Sequence, residues 1–590
     1  MTLQPGWTAE TRQMTVRAVA TGTAIGAVLC AANVYVVLKT GWSLGVTLSS
    51  TIIAFGLFRL LNFAGLTQRP LGMLENTTVS SVASAAAFMT GGGNMAAIPA
   101  LLILTGQRPG GLALAVWFAV IAALGVVVAI PIKRQLLDID RLPFPLGVAT
   151  ATTLRAMHDS TEGNRQSNRL FVAAGGAALL AVARDVRSLP WRLPGFVSLP
   201  WSIDGLPFRS WTLGFDASLV LLGGGSMMAP RTAGSMAVGG LLTYGFLAPA
   251  LVQSGAVAAA DYKAIVALTV WPGAALIVSS TLFTLLFQWR SALQGLAALA
   301  QGLSGSPPSP AAKNHTDEAP LWWFAAGLAL LSPLAVWLMA ALFDIPVWAG
   351  ILAIPLAVVM GVVAGRVTGE TDMSPTKALG PATQLFYGAI LPSHLTANLM
   401  SASVTGGVGL HAGDLLTDLK AGQLVGASPR LQVLAQFFGV IAGSLVVVPA
   451  FALLVPDAAA LGTPELPAPA VQVWASVSRA LAGGAGALPE TARLAGVVGA
   501  VVGVVLAALE RWLPAKLRHW LPSPAGLGMA MVIPASTSLT MALGAAIALG
   551  IRRRHPHSAQ ALTPIASGLV AGESVLGMTI ALGRSLGLPV

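Results

Sequence analysis

Long apolar runs alternate with short polar or basic segments along almost the whole chain. They fall near residues 18–38, 43–66, 75–105, 112–131, 145–158, 169–183, 215–229, 232–253, 264–289, 321–343, 346–366, 378–405, 430–455, 492–509, 524–550 and 562–585. Most approach the roughly 20 residues that a helix needs to cross a bilayer, while several are short or interrupted by Gly and Pro, so the pattern predicts about 14 to 16 spans. Two stretches break the rhythm. "QGLSGSPPSPAAKNHTDEAP" (301–320) is rich in Ser, Pro and charge and reads as a soluble linker between a membrane half at 1–300 and another at 321–590. "VPDAAALGTPELPAPA" (455–470) has a proline spacing that forbids a helix and reads as an aqueous loop.

Composition agrees with this pattern. Hydrophobic residues make up 55% of the chain, charged residues 9%, and the mean hydropathy is +0.77, against about 25% charged in soluble proteins. The expected fold is an all-α polytopic membrane protein of about 16 transmembrane or half-membrane helices in two repeated halves. The net charge of +11 does not point to nucleic acid, because Arg59, Arg69, Lys133, Arg134 and Arg552 to Arg554 border apolar runs instead of forming one patch. That placement follows the positive-inside rule and puts the N-terminus in the cytoplasm. Cys30 is the only cysteine, which excludes an intrachain disulfide. The run at 18–38 is too long for a signal-peptide core and has no clear cleavage site, so it reads as the first membrane helix.

The two halves share features in the same order. "GGSMMAPRTAGSMAVGG" (224–240) aligns with "GMAMVIPASTSLTMALG" (528–544), each with Gly six before a Pro (Pro230, Pro534) and another Gly ten after it. "TLRAM" and "NRLFV" match "DLKAG" and "PRLQV", and "FMTGGG" matches "SVTGGV". Chance similarity between Ala/Gly-rich segments is the alternative to duplication. Duplicated halves with a site between them are common in secondary transporters. Arg231 faces Ala535 in this alignment, and neither Glu75 nor Glu573 has an acidic counterpart.

Several segments carry polar groups that a bilayer disfavours. "ENTTVSSVASAAAFMTGGGN" (75–94) opens with Glu75 and Asn76, spaces Thr77, Ser80, Ser81 and Ser84 on one helix face, and breaks at Gly91 and Gly92. Small hydroxylated faces serve helix packing; a broken helix is tolerated only where protein or a cavity satisfies its backbone. Pro143, Pro145 and Gly147 precede Arg155 and His158, and Pro230 with Arg231 separates two short apolar pieces, a discontinuous-helix pattern. Asp414 and Asp418 stand at i, i+4 with Lys420 beside them, either functional or a solvated interfacial turn. Glu573 interrupts an apolar run, where a charge is costly and functional by default. His158, His394 and His411 lack metal-binding spacing, so no metal site or cofactor is expected, and no phosphate-cradling loop is present. Solute movement would draw on an ion gradient.

Together "NVYVVLKTGWSLG", "ENTTVSSVASAAA", "LPFPLGVATA", "MMAPRTAGSMAVGGLL", "DLLTDLKAGQLVGASPRLQ" and "GLVAGESVLGM" resemble the oligopeptide transporter (OPT) family, which includes the yellow stripe-like carriers. The likeness runs from residue 14 to 580 and is nearer the prokaryotic form. It implies a proton-coupled secondary transporter, not an enzyme, that imports small peptides across a bacterial plasma membrane; metal chelates are the alternative cargo and an intramembrane enzyme a remote one. Its expected partners are the bilayer, protons and the small-molecule substrate, with a homodimer left open. Matching positions include Asn33, Lys39, Glu75, Asn76, Pro143, Pro145, Gly147, Pro230, Arg231, Asp418, Lys420 and Glu573; Leu146 stands where the family often has Glu. Arg231 and Lys420 are expected to hold a substrate carboxylate, and Glu75, Asp418 or Glu573 an ammonium or the coupled proton. Lys39 would neutralise a neighbouring acid or sit at the interface.

Overall fold

The computed structural model describes residues 12–43, 46–91, 93–158, 162–186, 191–198, 200–287, 318–371, 376–392, 394–483, 489–518 and 520–585. Gly92 and most of the expected linker lie outside them. In the first half the α-helices are α1 (Val16–Thr40), α2 (Val46–Phe63), α3 (Met73–Ala87), α4 (Asn94–Thr105), α5 (Gly111–Lys133), α6 (Pro145–His158), α7 (Glu162–Asp185), α8 (Leu219–Met227), α9 (Pro230–Leu242), α10 (Ala248–Gln253) and α11 (Tyr262–Phe287). In the second they are α12 (Leu321–Phe343), α13 (Val347–Thr371), α14 (Thr376–Ile390), α15 (Leu395–Val425), α16 (Pro429–Leu454), α17 (Pro469–Gly483), α18 (Glu490–Trp512), α19 (Ala515–Arg518), α20 (Pro524–Ala530), α21 (Ala535–Arg554) and α22 (Leu562–Ser585). Among the described residues, 12 helical stretches are long and apolar enough to cross a membrane. The protein is an all-α polytopic membrane protein.

Local chemistry sets where these helices start and stop. The Thr15 hydroxyl accepts a hydrogen bond from Ala18 N–H at the start of α1, and Gly41, with φ of 74°, closes its far end. Pro230 and Pro429 occupy first turns, where no N–H is missed.

The expected break after "FMT" is present: α3 ends at Ala87, one 3-10 turn covers Phe88–Thr90, and α4 starts at Asn94. Its expected counterpart is not. "SVTGGV" stays inside continuous α15, because Gly407 serves close packing; a Cβ there would lie 2.5 Å from Ile121 of α5. The run at 378–405 is divided between α14 and α15, and the run at 524–550 between α20 and α21. Helix α17 was not expected, since Ser, Gln and Arg interrupt its apolar residues. Nor were two antiparallel ribbons between α7 and α8: β1 (Phe196–Ser198) with β4 (Gly214–Asp216), and β2 (Ser202–Ile203) with β3 (Leu206–Pro207).

Glycine pairs four apart bring the helices into contact. Gly22 and Gly26 of α1 meet α3 at the Val82 and Ala86 side chains, while Gly439 and Gly443 of α16 meet the adjoining face at the Val82 and Ala86 carbonyls. Helix α15 packs against α3, α5, α6, α13, α14 and α16 and is buried along nearly its whole length despite its polar residues. The two broken helices cross each other. Helix α8 packs on α21 where Gly225 meets Met541 and Gly544 meets Leu222, α20 packs on α9 where Gly239 meets Ala530, and α9 packs on α21.

Candidate functional site

The expected site residues separate into distinct environments. Glu75 sits in the first turn of α3, where it accepts from Thr15 Oγ1 at 2.7 Å, from Arg17 Nε at 2.9 Å and from Gly72 N at 3.3 Å, with Arg17 Nη2 completing the pair. This fastens the start of α3 to the start of α1. Asn76 donates to the Thr51 carbonyl at 3.2 Å and ties α3 to α2. Arg231 pairs with Glu510 of α18 at 2.6 Å and donates to the carbonyls of Leu521 and Pro522. Lys420 packs over Gly147, where a Cβ would lie 3.0 Å from the lysine Cβ and 2.7 Å from the Thr417 carbonyl. Arg231 is thus engaged by α18 and the segment before α20, whereas Lys420 lies at the contact of α15 with α6. The expected joint carboxylate grip of Arg231 and Lys420 is therefore not assembled here.

The prolines and glycines divide similarly. Pro145 opens α6, and Phe144 N–H before it bonds the Gly369 carbonyl at 2.9 Å. Pro143 lies in the segment leading to that helix, and Gly147 admits α15. Those three residues serve helix entry and packing. Gly91, by contrast, lies in the α3/α4 break, and Pro230 and Pro534 begin the second arms of the two crossing broken helices.

Lys39 and Glu573 do come together. Helix α1 separates Lys39 from the Arg17–Glu75 pair by about 33 Å of helical rise, roughly the thickness of a bilayer core. At this far end Glu573 of α22 is 1% exposed. Its carboxylate accepts from Ser218 Oγ at 2.9 Å, Leu219 N at 2.5 Å and Val220 N at 2.9 Å, capping α8 with a negative charge where the helix dipole favours one. Arg184 of α7 reaches the same carboxylate at 3.0 Å and forks onto Asp185 at 2.7 and 2.6 Å. Lys39 donates to Tyr35 Oη at 3.3 Å and interacts electrostatically with both Glu573 and Asp216. Asp216 of β4 accepts from Ser536 and Thr537 of α21 at 3.1 and 3.0 Å. Burial pushes its carboxyl above the usual carboxylate range, against the opposing pull of Lys39 and the two hydroxyls.

Near this cluster a small cleft, partly open to the outside, runs between α1, α2, α8 and α22. Asn33, Ser49, Met227, Ser567 and Ser574 contribute to its wall. Met227 ends α8, so the α8/α9 break borders the cleft. The Ser574 hydroxyl is buried without a hydrogen-bond partner, and Ser49 and Ser567 bond each other across the cleft at 2.9 Å.

Asp418 forms a third environment. It is 2% exposed and Asp414 6% exposed, which rules out a solvated interfacial turn. Asp418 Oδ2 accepts from Ser84 Oγ at 2.8 Å and Gln436 Nε2 at 2.9 Å. Ser84 lies nine residues beyond Glu75, about 14 Å along α3, which puts this carboxylate well inside the membrane.

Sequence reasoning missed Arg184, Asp185, Asp216 and Gln436. Arg184 and Asp185 border an apolar run, where charges read as topology markers, and Asp216 precedes a half-length helix. The signal available was the Asp216-Ala217-Ser218 approach to that short helix, together with one unexplained acid in α22.

The comparisons with known proteins agree over nearly the whole length. Residues 13–583 match the family described as OPT oligopeptide transporter protein. The putative oligopeptide transporter YGL114W of Saccharomyces cerevisiae is 25% identical over 98% of this chain and 97% of its own. The probable metal-nicotianamine transporter YSL16 of Oryza sativa subsp. japonica is 25% identical over 95% and 90%, and the iron-phytosiderophore transporter yellow stripe 1 of Zea mays is 23% identical over 95% and 89%. A polytopic helical bundle with crossing broken helices and buried charges, matched from end to end in this way, belongs to the OPT oligopeptide transporter family.

Proposed function

We propose that this protein is a proton-coupled secondary transporter that imports small peptides by alternating access, from a plasma membrane with its N-terminus in the cytoplasm. The observation that carries the substrate side is a buried cluster of both charge signs, which adjoins an uncharged cleft through Ser574, the neighbour of Glu573. A zwitterionic peptide needs a cation for its carboxylate and an anion for its ammonium. Lys39 and Arg184 supply the first, and Glu573 and Asp216 the second. In the present conformation these groups satisfy one another, so substrate termini exchange with internal ion pairs instead of desolvating free charges. That exchange limits the cost of burying a charged substrate.

The crossing of α8/α9 with α20/α21 supports alternating access. Two similar sequences in the two halves supply interlocked elements, the arrangement that duplicated transporter halves use to open one side while closing the other. The Arg17–Glu75 pair at one end of α1 and the Lys39–Glu573 cluster at the other are candidate closures for the two faces.

Metal chelates are a second reading, favoured by the plant relatives named as metal-nicotianamine and iron-phytosiderophore carriers. Among the described residues no group of three His, Cys, Asp or Glu side chains is placed to hold a metal ion. A chelated metal would therefore travel as cargo inside its ligand's own donor set.

Glu573→Gln tests the substrate assignment. Replacing a charged hydrogen-bonding partner worth about 1.5–3 kcal/mol is expected to raise the KM for a zwitterionic dipeptide about tenfold or more, with the proton dependence of uptake retained. An unchanged KM would remove Glu573 from the substrate path. Competition for uptake between a short-peptide pool and iron or nickel chelates then separates the two cargoes.

A further inference from the structure

The α3–α15–α16 interface holds a polar site away from the cleft. Asp414 and Asp418 lie one turn apart on α15, and both Oδ2 atoms approach the same nitrogen, Gln436 Nε2, at 3.4 and 2.9 Å. The other donors that act on the pair are neutral: Ser84 Oγ at 2.8 Å from Asp418, and the hydroxyls of Ser81 and Thr47 nearby. Asp418 Oδ1 is buried without a partner, as is the amide oxygen of Gln436, whose nitrogen is committed to the two carboxylates. His411, 0% exposed and unpartnered at both ring nitrogens, shares this face one turn earlier. The site therefore has more acceptors than donors, and its two carboxylates have no cationic partner among the described residues.

The charges carried by the surrounding elements are engaged elsewhere. Glu75 of α3 pairs with Arg17, Lys133 at the end of α5 with Glu318 and Asp138, and Arg366 of α13 with Asp140 and Glu370. Arg155 of α6 bonds the Leu424 carbonyl, and Arg430 of α16 lies over the Trp323 ring. His394 caps the start of α15, Lys420 interacts with Asp138, and among the described residues no hydrogen bond or ion pair joins Arg479 of α17 to the pair.

Two adjacent carboxylates kept ionised at this depth would repel each other with little water to screen them. The interface has little room for a hydrated ion. A Cβ on Gly439 would meet the Val82 carbonyl at 2.2 Å, and one on Gly443 the Ala86 carbonyl at 2.4 Å, so α3 and α16 touch backbone to backbone beside the pair. A proton needs no such room. Resting on the transport reading above, we infer that Asp414 and Asp418 form a binding site for one exchangeable proton, shared between the two carboxylates and bridged by Gln436, and that this pair is the coupling site. One proton enters, one carboxylate charge is neutralised, and the same proton leaves on the other side of the cycle. Glu573 handles substrate and the aspartate pair handles the proton.

The test uses the full chain reconstituted in proteoliposomes. Asp414→Asn and Asp418→Asn are each expected to lower proton-driven accumulation of a dipeptide at least tenfold while substrate counterflow persists. In infrared difference spectra, the carboxylic-acid carbonyl band of the wild type is expected to shift in each single variant and vanish in the double variant. If wild-type accumulation is driven by protons and both variants keep it with the band unchanged, the pair is not the coupling site and the transport reading stands. If wild-type accumulation follows a sodium gradient and ignores protons, both the shared proton and proton coupling fail. Should the asparagine variants not reconstitute, Gln436→Met removes only the bridging amide. It is expected to shift the band and the pH of half-maximal uptake, and no change in either would overturn the inference.

Discussion

Gly439→Val is expected to destabilise the bundle by about 3 kcal/mol, the upper end of the usual range for overpacking. The new Cβ would lie 2.2 Å from the Val82 carbonyl oxygen and 2.7 Å from Ala85 Cβ. Neither neighbour is the free end of a flexible side chain: one is backbone and the other a methyl fixed to it. Helix α3 has little freedom to shift, because Gly22 and Gly26 of α1 hold the adjoining face of α3 equally closely, at Val82 and Ala86. The strain therefore has to separate α16 from α3, which also parts Gln436 from Ser84 at the aspartate pair. Denaturation of the purified protein in mixed micelles measures the effect. Wild-type stability in the variant would mean that the helices are not in this contact. Gly496→Val, at a position with open space around it, is the matched control.

The second large effect is expected at Arg184. Arg184→Ala removes the guanidinium from Glu573 and Asp185 and leaves a carboxylate that is 2% exposed without its directly paired cation, with only the charge of Lys39 acting on it. Breaking one side of a buried pair costs about 3–5 kcal/mol. The α8 N-terminus still donates to Glu573, which puts the expected loss at the lower end of that range. Adding Glu573→Gln to Arg184→Ala is expected to recover part of the loss, because the stranded charge disappears with its partner. Thermal unfolding of the two variants against wild type reads this directly. Additive losses would show that the two side chains do not interact energetically.

Part of this arrangement was legible in the sequence, for definite physical reasons. Glu573 stands out because a charge inside an apolar run has few inexpensive explanations. Pro230 and Pro534 fit a helix start, where no N–H is missed, yet Pro131, Pro272 and Pro449 lie inside helices, so local chemistry alone pointed to the breaks only together with the flanking short apolar pieces. The serines of α3 announced contacts across a helix interface, though not which contacts: Ser80 bonds the Thr47 carbonyl while Ser84 bonds Asp418.

Other features depended on tertiary packing and left no local trace. Asp414 and Asp418 have the same i, i+4 spacing whether solvated or enclosed, and only the helices packed around α15 decide between the two. Gly406 and Gly407 resemble the glycines that follow α3, yet one set packs a straight helix and the other ends a broken one. The difference lies in the backbone: Gly93 takes a φ of 99°, which separates α3 from α4, whereas Gly407 stays helical with Ile121 packed against it. Arg231 looked like a substrate ligand because it follows a helix break. Glu510 and two carbonyls after α18 engage it instead, a partnership that joins residues far apart in the chain.

The central claim is that a proton gradient drives small-peptide import through this bundle. The most direct measurement is uptake into proteoliposomes containing the purified protein, with and without an imposed inward proton gradient, using competing pools of short peptides and iron or nickel chelates. The account predicts accumulation of the peptide pool above its external concentration only when the gradient is present, with protons entering alongside it. Equilibration without accumulation under the same gradient would contradict it.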